Sequence, residues 1–232
     1  MGKRIIQQAR GKGSLTYRVR KKAFRRKVKY PLHEGTAKVV KILHSSAHSA
    51  PLMKLEVVGE MFYNVAFNGA SEGIKVSIGK GKAEQGNILA LQNIPVGTKI
   101  YNIERNPGDG GKMIRAAGSS AVVSKKYEHN KIGITMPNRK EIKLDRGCRA
   151  TIGVVAGEGK KQKPFLKAGR KYYKMKARGK LYPRISAVSV NAIDHPFGSG
   201  RGKRIKSKIA KRNAPPGRKV GHLRPRRTGK KK

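Results

Sequence analysis

A β-hairpin is predicted by residues 131–144, which read KIGITMPNRKEIKL. Two short apolar runs flank Pro137-Asn138, a pair with good turn chemistry. Further strands with β-branched, partly alternating residues are predicted on both sides of this hairpin, at 36–43, 53–58, 62–67, 74–78, 99–103, 121–123 and 150–155. The strands are short and regularly spaced, and no long amphipathic helix intervenes. The sequence therefore predicts an all-β protein built from two small antiparallel barrels.

The charge of the chain indicates its partner. Among 232 residues, 56 are Lys or Arg and 12 are Asp or Glu, which gives a formal net charge of +44. Self-repulsion at this charge destabilises a compact chain, whereas a polyanion removes the repulsion and releases its own condensed counterions. We find no run of about 18 apolar residues that could span a bilayer, and no basic helix with a wide apolar face. Nucleic acid is the partner that the composition favours.

The charge also divides the chain. Residues 1–33 contain 12 cations and no acid, residues 34–172 have a net charge of +13, and residues 173–232 have a net charge of +19. We predict a basic N-terminal extension (1–33), a first barrel (34–86), a second barrel (87–172) and a basic C-terminal extension (173–232). The last segment has isolated apolar residues among many Gly, Pro and cations, so it should be disordered alone and order on RNA.

Cysteine and histidine indicate a reducing compartment and no metal. Cys148 is the single cysteine, so no intrachain disulfide can form, and the N-terminus lacks the apolar run of a secretory signal. His44 and His48 have no cysteine or acid at metal-ligand spacing, so a loop between strands that touches RNA is expected there. We predict no cofactor and no metal.

The glycine-rich segment 108–112, GDGGK, has two interpretations. Consecutive glycines can turn several N–H groups toward one phosphate, and Lys112 adds charge. A mononucleotide site is disfavoured because Met113 stands where a magnesium-binding Ser or Thr is needed. The remaining interpretations are an RNA-phosphate contact through Gly110 and Gly111 and a plain turn between strands.

Two further segments carry chemistry-bearing residues. Asp194-His195 invites a general-base interpretation, but adjacent side chains of extended backbone point apart and no nucleophile is tied to the pair. We favour a structural turn whose imidazole contacts RNA. Tyr172-Tyr173 precede several cations, a pattern that suits base stacking with phosphate neutralisation. The alternative is that one tyrosine belongs to the core of the second barrel.

Five motifs, in this order, resemble the universal large-subunit ribosomal protein family L-two: LQNIPVGT (91–98), NPGDGGK (106–112), CRATIG (148–153), NAIDHPFG (191–198) and NAPPGRKVG (213–221). The resemblance covers nearly the whole chain, and the histidine motif is its most specific part. Phe197 and the last motif resemble archaeal and eukaryotic members, and the short chain favours the archaeal ones. In the family, the histidine, the proline and the residue after them are usually followed by three glycines. In this chain those three positions are Gly198, Ser199 and Gly200. A positive φ at Ser199 would be strained, because serine carries a Cβ.

The resemblance implies an OB-like barrel followed by an SH3-like barrel, bound to large-subunit rRNA in a cytoplasmic ribosome. It implies a non-catalytic role in assembling the peptidyl transferase region, in subunit association and in tRNA placement. Neighbouring ribosomal proteins are expected partners, with contact to tRNA or the small subunit, and no homo-oligomer. The histidine extension would lie near the peptidyl transferase centre, where RNA does the chemistry; its residues here are Asp194, His195, Pro196, Phe197 and Gly198.

Cations of the extensions and residues of these motifs are the predicted RNA contacts. They are Lys3, Arg4, Arg10, Lys12, Arg18, Arg20, Arg25, Arg26, Gly110, Gly111, Lys112, Arg149, Lys167, Arg170, Tyr172, Tyr173, Lys174, Lys176, Arg178, Asn191, His195, Arg201, Arg204, Arg212, Arg218, Lys219, Arg224, Arg226 and Arg227. The alternatives are a non-ribosomal RNA chaperone that uses the same charge, and an RNA-processing enzyme built on Asp194 and His195.

Overall fold

A computed structural model describes residues 2–198 and 208–224 of the chain. Its strands are β1 (Gly35–Leu43), β2 (Leu52–Val57), β3 (Glu60–Val65), β4 (Lys75–Gly79), β5 (Ile88–Ala90), β6 (Lys99–Tyr101), β7 (Ala121–Lys126), β8 (Lys131–Thr135), β9 (Glu141–Asp145), β10 (Arg149–Ile152), β11 (Ile209–Ala210) and β12 (His222–Leu223). Its α-helices are α1 (Ile6–Gly11) and α2 (Ala168–Ala177), and its 3-10 helices are Lys21–Phe24, Leu91–Asn93 and Glu158–Lys161.

The predicted all-β class is confirmed. Within the described ranges, ten strands form one sheet in the order β3-β2-β1-β4-β5-β10-β6-β7-β8-β9, and β11 and β12 form a short parallel pair. Two buried apolar clusters lie along this sheet, one for each barrel. The predicted hairpin is also present: β8 pairs antiparallel with β9, and the Met136 N–H donates to the Lys140 carbonyl across the turn (2.9 Å).

Several elements were not predicted: β5, β11, β12, both α-helices and the 3-10 helices. The run Ile88-Leu89-Ala90 does not alternate with polar residues, and in the structure it is the buried strand β5. A continuous apolar run is typical of a strand covered on both faces, so this run was the feature of the sequence that could have predicted β5. Helix α2 begins before the predicted C-terminal extension and continues into it, although none of its residues is buried.

The chain divides into two compact units. The barrel unit is Arg20–Arg170, and the terminal unit consists of the described residues of 1–19 and 171–232. Val28 and Tyr30, although part of the predicted N-terminal extension, lie in the first core. Single apolar residues among cations have no periodicity, which is why the sequence did not indicate their burial. The three boundaries between the four predicted segments stay predictions.

Both barrels share strands β5 and β6. Ile88 of β5 packs in the first core, and its neighbour Leu89 packs in the second. In β6, Tyr101 belongs to the first core and Ile100 to the second. Since successive side chains of a strand point to opposite faces, one short strand can serve two cores. The two barrels are therefore joined by shared sheet rather than by a linker.

A buried polar cluster joins a residue before β1 to residues of β3 and β10 and to the residue that follows β6. The Tyr30 hydroxyl donates to the Asn102 carbonyl (2.6 Å) and is 2.7 Å from the Thr151 hydroxyl. The Asn64 amide donates to Thr151 (3.1 Å) and accepts from the Asn102 amide (2.8 Å). Burial raises the pKa of the Tyr30 hydroxyl well above its ordinary value, so it stays protonated as a donor. Buried polar groups that satisfy one another specify a unique arrangement of the elements they join.

Candidate RNA interface

The glycine-rich segment is a turn built around two carboxylates of the chain itself. Glu104 is fully buried, and its carboxylate accepts from the N–H groups of Gly108 (3.2 Å) and Gly110 (3.0 Å). The carboxylate of Asp109 accepts from the N–H of Gly111 (3.0 Å). A phosphate cradle would need these N–H groups, so the turn interpretation is the one that fits. RNA contact by Gly110 and Gly111 stays a prediction and would use other atoms.

The conformation of this turn requires glycine. Gly110 and Gly111 both have φ of 80°, and a Cβ on Gly111 would lie 2.4 Å from the Asn102 carbonyl oxygen. Partial burial acts to raise the pKa of Asp109, but hydrogen bonds from the N–H groups of Asn106, Arg105 and Gly111 and the charge of Lys112 outweigh it and lower that pKa. The exposed Lys112 ammonium lies 3.8 Å from Asp109. Its contact with RNA stays a prediction.

Arg149, predicted to contact RNA, is bound inside the protein. Its guanidinium donates to the buried Glu104 carboxylate (3.0 Å) and to the Pro31 carbonyl (2.7 Å), and it lies over the Tyr30 ring. These contacts favour a structural role. The motif that surrounds it signals a site, but sequence alone does not show that the cation pairs with an acid 45 residues away.

Arg115 is a structural residue that the sequence analysis missed. Its guanidinium donates to the Asn102 side chain (2.7 Å), to the Val28 carbonyl (3.1 Å) and to the Gly111 carbonyl. Burial lowers the pKa of Arg115 from its ordinary value, partly offset by Tyr30 and Asp109. The signal in the sequence was a cation three residues after the glycine-rich segment, but nothing in that spacing distinguishes Arg115 from a surface cation.

The histidine segment forms a closed turn in the terminal unit. The N–H groups of Asp194 and His195 donate to the Asn191 carbonyl, and the Gly198 N–H donates to the His195 carbonyl (2.8 Å). Gly198 is buried, and a Cβ there would lie 2.4 Å from the Asn191 carbonyl oxygen. The chain therefore needs glycine at this point because the backbone approaches itself too closely for a side chain.

The Asp194 and His195 side chains are engaged separately. The Asp194 carboxylate lies 3.5 Å from the Lys3 ammonium. The His195 Nδ1 accepts from the Phe197 N–H (3.0 Å), and the two rings lie 4.8 Å apart. Because Nδ1 accepts, the proton of the neutral imidazole is on Nε2, which can donate to a ligand. This arrangement does not make Asp194 the orienting group of a general base.

Two exposed tyrosines stand on α2. Tyr172 and Tyr173 are 39% and 68% exposed, and their rings meet edge to face with centroids 5.5 Å apart. The Lys176 ammonium lies 5.4 Å from the centre of the Tyr172 ring. The alternative that one tyrosine belongs to the barrel core is wrong. Exposed rings beside cations can stack on unpaired bases.

The other predicted RNA contacts are mostly at the surface. Those classed as exposed are Lys3, Arg4, Lys12, Arg18, Arg20, Arg25, Lys167, Arg170, Asn191, Arg212, Arg218, Lys219 and Arg224. Those classed as half-buried are Arg10, Arg26, Lys174, Lys176, Arg178 and His195. Arg201, Arg204, Arg226 and Arg227, as well as Ser199, lie outside the described residues.

The sequence predicts a loop between strands at His48, and this residue lies in the connection between β1 and β2. Its Nδ1 is 2.7 Å from the Ser45 hydroxyl, and its ring meets the Phe24 ring edge to face. No group of three or more His, Cys, Asp or Glu side chains within 2–198 and 208–224 is arranged to hold a metal ion. Among the helices of those same ranges, none has the length and apolar character needed to cross a membrane.

Comparison with known proteins identifies the family. Residues 84–217 match the model described as Ribosomal Proteins L2, C-terminal domain. The chain is 46% identical to large ribosomal subunit protein uL2 of Archaeoglobus fulgidus, with 99% of each chain covered. It is 44% identical to the protein of that name from Methanococcoides burtonii, with both chains covered fully, and 41% identical to that from Sulfolobus acidocaldarius, covering 100% of this chain and 99% of the relative. The glycine turn, the histidine turn and the paired barrels thus lie in a chain that belongs to the uL2 family of ribosomal proteins.

Proposed function

We propose that this chain is a structural constituent of the large ribosomal subunit that binds rRNA directly. The observation that carries the proposal is the net charge of +44 on a chain with two well-packed cores. Most of the predicted contact cations are exposed, while Arg149 and Arg115 are used inside the barrel unit. Family membership supports the large-subunit location, since the relatives carry that name.

The mechanism is charge neutralisation combined with shape. The barrel unit is held together by its shared strands and buried polar cluster, and it presents exposed cations to the RNA backbone. Phosphate contacts of this kind fix position and make affinity steeply dependent on salt. The terminal unit, with exposed tyrosines and the histidine turn, would reach the peptidyl transferase region and help its assembly, subunit association and tRNA placement. Neighbouring ribosomal proteins, tRNA and the small subunit are proposed partners, in the cytoplasm.

A footprint tests this function. With purified protein and large-subunit rRNA, we expect protection of one defined patch and cosedimentation with the subunit at high salt. Polylysine of matched charge should protect RNA diffusely and dissociate as salt rises. A protein footprint as diffuse as that of polylysine would contradict the proposal and support the RNA-chaperone alternative.

We also propose that the chain is not an enzyme. Asp194 is paired with Lys3, and the His195 Nδ1 is occupied by the Phe197 N–H, so neither group is set up for proton transfer. Purified protein should leave RNA intact over hours without ribosomes. RNA cleavage that disappears in a His195→Ala variant would overturn this part of the proposal.

A further inference from the structure

The terminal unit contains an open cleft of about 800 Å³. Its walls come from residues 3–7, 9, 10 and 17 of the N-terminal segment and from residues between 181 and 195. This volume is within the range of about 300–1,000 Å³ that is usual for sites binding small organic groups. The cleft includes one edge of the histidine turn, but most of its lining belongs to neither the histidine motif nor the tyrosine pair.

The lining of the cleft is cationic. It includes Lys3, Arg4, Arg10 and Arg184, against one acid, Asp194, which is already paired with Lys3. The Arg10 Nε is buried and has no acceptor among the described residues. A buried donor without a partner is unfavourable. An anionic group in the cleft would remove this cost by giving the guanidinium an acceptor to turn toward.

The same cleft offers apolar and aromatic surface. Ile185 lines it and is 74% exposed, and Tyr17 and His195 are also among its lining residues. The His195 ring is held by its contact with Phe197 and by the hydrogen bond to its Nδ1. Its Nε2–H is therefore a fixed donor, and its face is a fixed surface against which a flat group can stack.

We propose that this cleft binds one unstacked nucleotide of RNA. The base lies against Ile185 and the rings of Tyr17 and His195, and the phosphate is bound by Arg10 and Arg184. An acidic peptide would satisfy the cations but leave the apolar and aromatic wall without a partner. Proteins that recognise RNA bases commonly take them unstacked, from loops and bulges. This inference rests on the proposed RNA-binding function and adds the form of RNA that the terminal unit selects.

Three RNA hairpins test the proposal with the full-length protein. One carries a bulged adenosine, the second an abasic residue at the same position, and the third is fully paired. Stacking of one base on a protein ring changes affinity by about 5- to 150-fold, so we expect the adenosine bulge to bind roughly tenfold more tightly than the abasic one. Equal dissociation constants for these two hairpins would overturn the proposal.

Matched variants assign the effect to the cleft. Ile185→Ala should reduce the preference for adenosine over the abasic residue severalfold, whereas Leu15→Ala, which changes an exposed residue outside the cleft, should not. Arg10→Ala should reduce the preference for a bulge over the paired hairpin, whereas Lys12→Ala should weaken all three hairpins alike. Circular dichroism checks that each variant is folded; Ile185→Ala removes a mostly exposed side chain, so it keeps the test informative if Arg10→Ala does not fold.

The outcomes separate this inference from the function on which it rests. If the two bulged hairpins bind equally but the paired hairpin still binds with steep salt dependence, RNA binding stands and the nucleotide site is wrong. If a deca-glutamate peptide binds with an affinity that Ile185→Ala weakens, and the bulged hairpins bind equally, the cleft belongs to an acidic protein segment instead. Loss of binding to all three hairpins would contradict the proposed function itself.

Discussion

At the scale of single residues, charged groups inside the barrel unit have a different task from those on its surface. Glu104 is fully buried, and it binds Arg149 and two glycine N–H groups of the turn. A buried carboxylate is tolerated only when it is paired and hydrogen-bonded. Glu104 meets this condition, and through it the glycine turn is tied to β10.

Removal of the Arg149 side chain should strongly destabilise the protein. Arg149→Ala leaves the Glu104 carboxylate buried without its cation, which costs about 3–5 kcal/mol in comparable buried pairs. The free energy of unfolding from denaturant titration measures the loss. Arg146→Ala, at an exposed neighbouring cation, is the control and should change stability by less than about 0.5 kcal/mol. Similar values for the two variants would show that Arg149 is not a structural residue.

The Cys148 thiol should be unreactive in the folded protein. Burial raises its pKa to about 11, and the charge of Glu104 acts in the same direction. The unfolded thiol has a pKa near 9.0, so the stability it contributes is full below that pH and is lost as pH rises toward 11. Ellman's reagent at pH 8 should label Cys148 only after unfolding in urea. Rapid labelling of native protein would contradict its burial.

At the scale of elements, β5 and β6 determine how the barrels are joined. Each contributes one residue to the first core and an adjacent residue to the second. Neighbouring strands β4 and β10 pair with β5, in parallel and antiparallel directions respectively. Since the pairing passes through β5 without interruption, the two barrels should unfold together.

A cavity in one core should therefore weaken both barrels. Leu89→Ala removes a fully buried side chain from the second core, at a cost of about 2–5 kcal/mol. Amide hydrogen exchange should show an equal loss of protection in β2 of the first barrel and β8 of the second. Val96→Ala, at an exposed position, should leave both unchanged. Unchanged protection in β2 of the Leu89 variant would mean that the barrels unfold separately.

At the scale of the whole molecule, RNA affinity and folding are predicted to reside in different parts. Both cores consist of residues between 28 and 155. The C-terminal segment, residues 173–232, has 20 cations and one acid, which is +19 of the total net charge of +44. The unit boundary at Arg170 indicates where the chain can be shortened without entering the barrels.

A chain ending at Arg170 should stay folded and bind RNA weakly. Each lost phosphate contact lowers the slope of log affinity against log salt by about 0.7–0.9, so both affinity and slope should fall sharply. Circular dichroism and a salt series of binding measurements test these two points. An unfolded product would show that the C-terminal residues stabilise the barrels. A full salt slope would show that they do not bind phosphate.

Sequence alone was sufficient for the class of fold, most of the strands and the charge that favours a nucleic-acid partner. Strand periodicity, turn residues such as Pro137-Asn138 and net charge are local or additive properties, so they are visible without coordinates. Only the tertiary structure showed that Arg149 and Arg115 bind groups inside the protein, unlike the surface cations. It also revealed the carboxylates that occupy the glycine turn, the two-sided strand β5 and the cleft around Arg10. Each of these depends on which distant residues meet, and a buried ion pair and an exposed cation look the same until the chain is folded.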